Sequence, residues 1–221
     1  MAATPKMSKS GYDLHPSVLI TQKTISGLKE KTGRTLEQWV LLLKQKGPKD
    51  QKQQREWLKT RYGLGTNYSQ WIAERAVGRG ANGTAESYLL AAERYVEEMF
   101  AGPKATLRPI YDELLKLGRS MGSDVKVSPC QTMVPLYRNH VFAQIKPASR
   151  DRVDLGLALK DTKVPRRLID TGGFAKKDRI THKIEIGSVK EIDDEVKHWL
   201  KKAYEMDADA RRGKAPARLS A

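Results

Sequence analysis

Cysteine, histidine and continuous apolar stretches are all scarce in this chain, and each shortage removes a class of protein. With one cysteine in 221 residues, Cys130 has no intramolecular disulfide partner, which excludes a disulfide-stapled secreted scaffold. No apolar run exceeds Trp39–Leu43, whereas a membrane helix needs about 20 residues. Val18-Leu19-Ile20 is too brief for the apolar core of a signal peptide, and no small-residue cleavage pattern follows it. A cytoplasmic protein with no membrane partner is therefore expected. The histidines His15, His140, His182 and His198 lack metal-ligand spacing and have no cysteine pair to help them, so no metal is expected. Catalytic signatures are equally thin. Lys44–Lys49 contains no phosphate loop, and Gly78-Arg79-Gly80 precedes neither a strand nor a nucleotide fingerprint. Asp193-Asp194-Glu195 suits the positive end of a helix dipole better than a pair of reacting acids. No catalytic residue and no cofactor are expected.

What the chain has in excess is positive charge. Its 41 Lys+Arg against 26 Asp+Glu leave +15. Thirteen bases face five acids between residues 21 and 80, a surplus of +8; residues 131–190 carry +7 and the tail 211–221 carries +4. Gly78 to Gly83 interrupts the apolar periodicity and marks a boundary. The resulting organisation is a flexible N-terminus (1–20), a helical domain (21–78), a linker (79–87), an α+β domain (88–206) and a basic tail (207–221).

In the helical domain Thr35 and Gln38 form a capping box, Trp39, Val40 and Leu43 make an apolar stripe, and Gly47-Pro48 stops the helix. A polar helix follows over about Lys49–Tyr62, and a third starts near Thr66 and buries Ile72. Downstream, helices over Thr84–Phe100 and Leu107–Leu117 give way to period-two segments at Val141–Lys146, Val153–Leu159 and His182–Ile186. Val125–Tyr137 reads as a strand broken near Pro129 or Pro135. Ser188 and Glu191 read as a capping box for a last helix with Ile192, Val196, Trp199, Leu200 and Ala203 on one face. The fold expected is α+β, a small helical bundle followed by an antiparallel sheet packed against helices.

Three constellations carry candidate chemistry. Tyr62-Gly63-Leu64-Gly65-Thr66 resembles the loop of a helix-hairpin-helix element. There, glycines let the backbone approach a phosphate and the free amides of a helix start point at it. Lys59, Arg61 and Arg75 would flank that contact. The second is the basic helix itself, where Lys52, Arg55 and Lys59 recur at helical spacing among glutamines, a pattern that neutralises phosphates. The third lies in the sheet. If Val153, Leu155, Leu157 and Leu159 face the core, the other face offers Arg152, Phe142, Gln144 and Lys146, with room left by Gly156 and Ala158. That face would suit stacking of a planar ring in a cationic surround. An alternative pocket would use Tyr137, Arg138, His140, Phe142 and His182.

Two family resemblances add to this. Lys31–Thr35, Trp57-Leu58-Lys59 and the Gly63-Leu64-Gly65 turn resemble a bacterial helical family known as domain of unknown function 4287. Asn67–Trp71 stands where that family has a His- and Ala-rich stretch, so no histidine role carries over. Met99–Gly102, Leu107–Tyr111, Val141–Ala143, Leu155–Leu157 and Leu200–Tyr204 are similar to domain of unknown function 5655. Members of the latter sometimes end larger proteins with nuclease-like domains, which implies a nucleic-acid setting by association. The leading expectation is a non-enzymatic, sequence-independent nucleic-acid-binding accessory protein. A small-molecule or enzymatic module on the C-terminal sheet is the first alternative. The second is a protein-interaction module presenting Trp39, Trp57 and Trp71.

Overall fold

Thr35 and Gln38 fix the start of a helix through reciprocal bonds. The Thr35 hydroxyl accepts from the Gln38 amide, and the Gln38 side chain accepts from the Thr35 amide. In the computed structural model, which describes residues 11–78, 84–163 and 167–212, this helix is α3 (Leu36–Lys46). Around it stand α1 (Pro16–Ser26), α2 (Leu28–Thr32), α4 (Gln51–Tyr62) and α5 (Thr66–Ala76). The chain divides into two compact units: one is Leu14–Ala91, the other joins the residues up to Asp13 to those from Ala92 onward.

The core of the helical unit is Leu28, Leu36, Trp39, Leu43, Leu58, Leu64, Ile72 and Ala73. Trp39 is only 2% exposed, so it belongs to the core and not to a docking surface. Its indole N–H donates to Thr32 Oγ1 at 2.8 Å, which satisfies the one polar atom the ring buries. Trp57 and Trp71 are half-buried.

Of the stretch 1–20 expected to be a flexible end, residues 1–10 lie outside the described residues. From Tyr12 onward the chain is tied down: Tyr12 Oη bonds Tyr111 Oη at 3.0 Å, and Asp13 exchanges two bonds with Val127. Of the linker, residues 79–83 lie outside the described residues and α6 (Ala85–Met99) begins two residues after them.

The second unit holds α7 (Arg108–Ser120), six strands and α8 (Asp194–Arg212). The strands are β1 (Lys126–Val127), β2 (Val134–Tyr137), β3 (Val141–Pro147), β4 (Val153–Leu157), β5 (Ile169–Asp170) and β6 (His182–Ile186). They form one antiparallel sheet in the order β1-β2-β3-β4-β6-β5. Period two places Val134, Ile145, Leu155 and Ile184 in one cross-strand row, all buried, with Leu136, Ala143 and Leu157 in another. Helices pack on the sheet as the α+β reading requires; a Cβ on Gly118 of α7 would lie 2.6 Å from Leu136, so glycine allows the close approach.

Two boundaries differ from expectation. Val125–Tyr137 is two strands, β1 and β2, parted at Pro129, whereas Pro135 stays within β2. Ser188 and Glu191 close a short 3-10 turn (Val189–Glu191), and the cap of α8 is Asp193, whose Oδ1 accepts from the Val196 amide at 3.1 Å. Of the tail read as basic and solvated, residues 207–212 continue α8; residues 213–221 lie outside the described residues.

Candidate nucleic-acid interface

Gly63 ends α4 in the left-handed conformation (φ 65°), its amide donating to Lys59 O at 2.9 Å. Two residues on, Gly65 is the N-cap of α5 and supplies no side chain to the orphan amides behind it. Gly63, Gly65, Thr66 and Asn67 are exposed, and a Cβ on either glycine would meet nothing within 4 Å. The start of α5 therefore presents uncapped N–H groups to solvent across a bare backbone, with Leu64 turned inward as the anchor.

A second left-handed glycine faces the same space. Gly33 (φ 75°) ends α2 and delivers Arg34 over the aromatic pair beneath, its guanidinium 4.9 Å from the Trp39 ring centroid and 5.8 Å from that of Tyr62. Trp39 and Tyr62 meet edge to face at 5.1 Å, and Tyr62 meets Trp57 at 5.0 Å, so the platform is braced from behind. Lys31, Thr32, Arg34, Trp39, Tyr62, Gly63, Leu64, Gly65 and Tyr68 line an open cavity of about 370 Å³. Sequence reasoning missed Lys31 and Arg34 as site residues. Their signal was a Lys-Thr-Gly-Arg turn of the same kind as the glycine turn it singled out.

The basic residues named for this surface are not all on one side. Lys59 and Arg61 are two residues apart on α4 and so point about 200° apart around its axis. Lys52, Arg55 and Lys59 share a flank, but Arg55 donates to Gln70 of α5 at 2.6 Å and Lys59 pairs with Glu56 at 3.1 Å. Lys52 and Arg61 are exposed, and Arg75 is half-buried.

On the sheet, the expected cationic face is compensated by its own acids. Arg152 pairs with Glu185 at 2.9 Å and Asp154 at 3.3 Å, while Lys183 pairs with Asp154 at 2.9 Å and Glu185 at 2.7 Å. Lys146 is exposed nearby. The room expected at Gly156 is taken by the chain itself: a Cβ there would lie 2.8 Å from both the Gln144 and Ile180 side chains. Phe142, expected on the open face, is fully buried and packs against Tyr204 of α8 at 5.5 Å. The cause is a β-bulge. Leu136 pairs with Ala143 but Tyr137 pairs with Val141, so Phe142 is an extra residue that escapes the alternation.

Of the alternative pocket, Arg138, Phe142 and His140 meet α8, the first two at Tyr204 and the third at Asp207. His182 is 4% exposed inside the unit, its Nδ1 2.8 Å from Thr181 Oγ1. Tyr137 is half-buried, and that burial pushes its phenol up to about 12. Arg138 bonds Asp124 at 2.7 Å and lies 4.0 Å above the Tyr204 ring. The Tyr204 hydroxyl and then Arg138 hold the Asp124 carboxyl below its usual range. His140 reaches Asp207, a carboxylate of α8 that is 2% exposed. Among the described residues no three His, Cys, Asp or Glu side chains stand as a metal-binding group, and no helix is long and apolar enough to cross a membrane.

The charge network predicts acid sensitivity. Glu185 is held below its ordinary 4.5 by its hydrogen bond with Lys183, and Asp193 below 3.8 chiefly by the Val196 amide. A depressed carboxyl stabilises the fold above its unfolded value and stops doing so as pH falls through the folded one. The thermal midpoint should decline as pH drops from about 5 to about 3, and Glu185→Gln should flatten that decline. A wild-type midpoint that stays constant over the interval would refute the assignment.

Residues 96–207 match the family described as Domain of unknown function (DUF5655), and residues 21–77 match the one described as Domain of unknown function (DUF4287). No curated protein and no solved structure matches the chain.

Proposed function

This chain belongs to the DUF5655 family, and we propose that it is a nucleic-acid-binding accessory protein whose helical unit grips the phosphate backbone without reading bases. One observation carries the reading: the uncapped, exposed start of α5 opens onto the same cavity as Lys31 and Arg34. Amides at a helix start and unshared cations both bind phosphate without any base contact. The aromatic platform under Arg34 holds that cation at the cavity. The surplus of charge between residues 21 and 80 adds long-range attraction. The single cysteine accords with the bacterial cytoplasm as its setting. The compensated sheet face takes no part in this reading.

The test is Gly65→Asp. Gly65 has the extended backbone of an N-cap (φ −63°, ψ 160°) and open space for a side chain. An aspartate there would cap α5 and improve stability by a few tenths of a kcal/mol. Its carboxylate would also occupy the amides meant for phosphate. The variant should melt no lower than the parent yet bind a 20-base-pair duplex or a single strand at least about tenfold more weakly at low salt. Unchanged affinity in a fully folded Gly65→Asp protein would overturn the reading.

A further inference from the structure

A second cavity, of about 560 Å³, lies within the sheet unit and contains none of the residues singled out in the sequence for the alternative pocket. Its lining includes the apolar surfaces of Ala158, Phe174, Ala175 and Met206, and three cations, Lys160, Lys177 and Arg179. Backbone conformation sets this cavity apart. Lys160 (φ 54°) and Lys177 (φ 60°) are the non-glycine residues with positive φ among the described residues, and both line it. L-residues adopt that conformation at a cost that glycine does not bear, and such costs concentrate at functional sites. Lysine at both positions keeps two ammonium groups where glycine would serve the turn better.

The charges sort themselves. Arg179 is spent internally: Nε donates to Val141 O at 3.0 Å and Nη2 bonds Asp207. Asp207 is saturated in turn by the amides of Asn139 and His140 as well as by the His140 ring. Neither Lys160 nor Lys177 has an ion-pair partner among the described residues. Against them stands Asp178, which leaves the lining with one unmatched positive charge. Phe174 is 54% exposed, an aromatic ring held at the edge of the cavity. The volume is that of a drug-sized ligand.

We infer that this cavity binds a small aromatic anion, its ring against Phe174 and the apolar lining and its acid group at Lys160 and Lys177. The chemistry could be offered by a free aromatic acid or by a nucleotide, whose base is the ring. The inference is independent of the phosphate-backbone reading, since it uses no residue of the helical unit.

The experiment titrates the full chain with 8-anilino-1-naphthalenesulfonate, an aromatic monoanion that fluoresces when its ring leaves water. Saturable binding is expected. Lys160→Gly with Lys177→Gly should weaken it at least about tenfold, two charge-assisted contacts to the acid group being lost together. The melting point should hold or rise, because glycine relieves both positive-φ positions. Phe174→Ala, at an exposed position, supplies a second variant expected to weaken the probe. Displacement by benzoate identifies the free acid as the source, displacement by adenosine monophosphate the nucleotide, and displacement by both the shared chemistry. Undiminished probe binding in a folded double-glycine variant, or displacement by neutral benzamide as effective as by benzoate, would overturn the inference. Duplex binding should be unchanged in that variant, which separates this site from the helical one.

Discussion

Asp207→Ala should destabilise the sheet unit by about 3–5 kcal/mol, the cost of losing two backbone hydrogen bonds to a buried carboxylate and leaving both amides unpaired. The side chain is 1% exposed and both oxygens are fully committed. Oδ2 accepts the amides of Asn139 and His140 at 2.7 and 2.9 Å, while Oδ1 takes the His140 ring at 3.1 Å and the Arg179 guanidinium. Alanine would strand two amides at the turn between β2 and β3 and leave Arg179 without its counter-charge. Asp207→Asn should recover little, because obligatory donors approach both oxygens, the two amides at Oδ2 and Arg179 at Oδ1, and the amide NH₂ would face one or the other. By contrast His140→Ala, at a side chain 56% exposed, should cost about 1 kcal/mol or less, as exposed pairs do. For a unit of this size, the alanine variant's melting point should fall by about 10 °C or more. A drop of only a degree or two, measured by calorimetry or circular dichroism, would show that water replaces the carboxylate and that the clamp is dispensable.

Asp207 also shows where sequence reading stops. Its partners lie 67 and 28 residues away, and locally it stands in a stretch that reads as the start of a solvated tail. Nothing short-range distinguishes it from its neighbour Asp209. What was legible is what depends on neighbours a few residues apart. The Thr35–Gln38 box, the Gly47 stop and the glycine turn at Gly63 each fall where local bonding puts them. The period-two segments name the correct core rows for β3, β4 and β6. Period two fails at one point, where the bulge inserts Phe142 and inverts the parity of everything before it in β3. The charge pairing across β4 and β6 was hidden for a related reason. Period two puts Asp154 on the face of Arg152, but only the register sets Glu185 opposite it. In the helical unit, the cavity at Gly63 joins the end of α2 to the α4–α5 turn, two segments far apart in the sequence, so the Lys-Thr-Gly-Arg turn is legible as a turn but not as a part of that site.

That cavity yields the second large effect. Replacing both Lys31 and Arg34 by glutamine removes two charges from the cavity while leaving a polar side chain with an N–H donor at each position. Each phosphate contact adds about −0.9 to the slope of log K against log salt, worth about tenfold in affinity near 50 mM salt. The double variant should therefore bind duplex about a hundredfold more weakly there and show a slope shallower by about 2. Stability should suffer little, since Lys31 and Arg34 are exposed and an exposed cation–π contact contributes about 0.5–1 kcal/mol. The comparison that gives this meaning is Lys52→Gln with Lys59→Gln, an equal loss of net charge on α4 outside the cavity lining. If the bound phosphates sit at the α5 start, this second pair should shift affinity by only the few-fold expected of distant, screened charges. Equal losses from both pairs would mean that the helical unit attracts nucleic acid by its overall charge alone. The glycine turn would then have no special part in it.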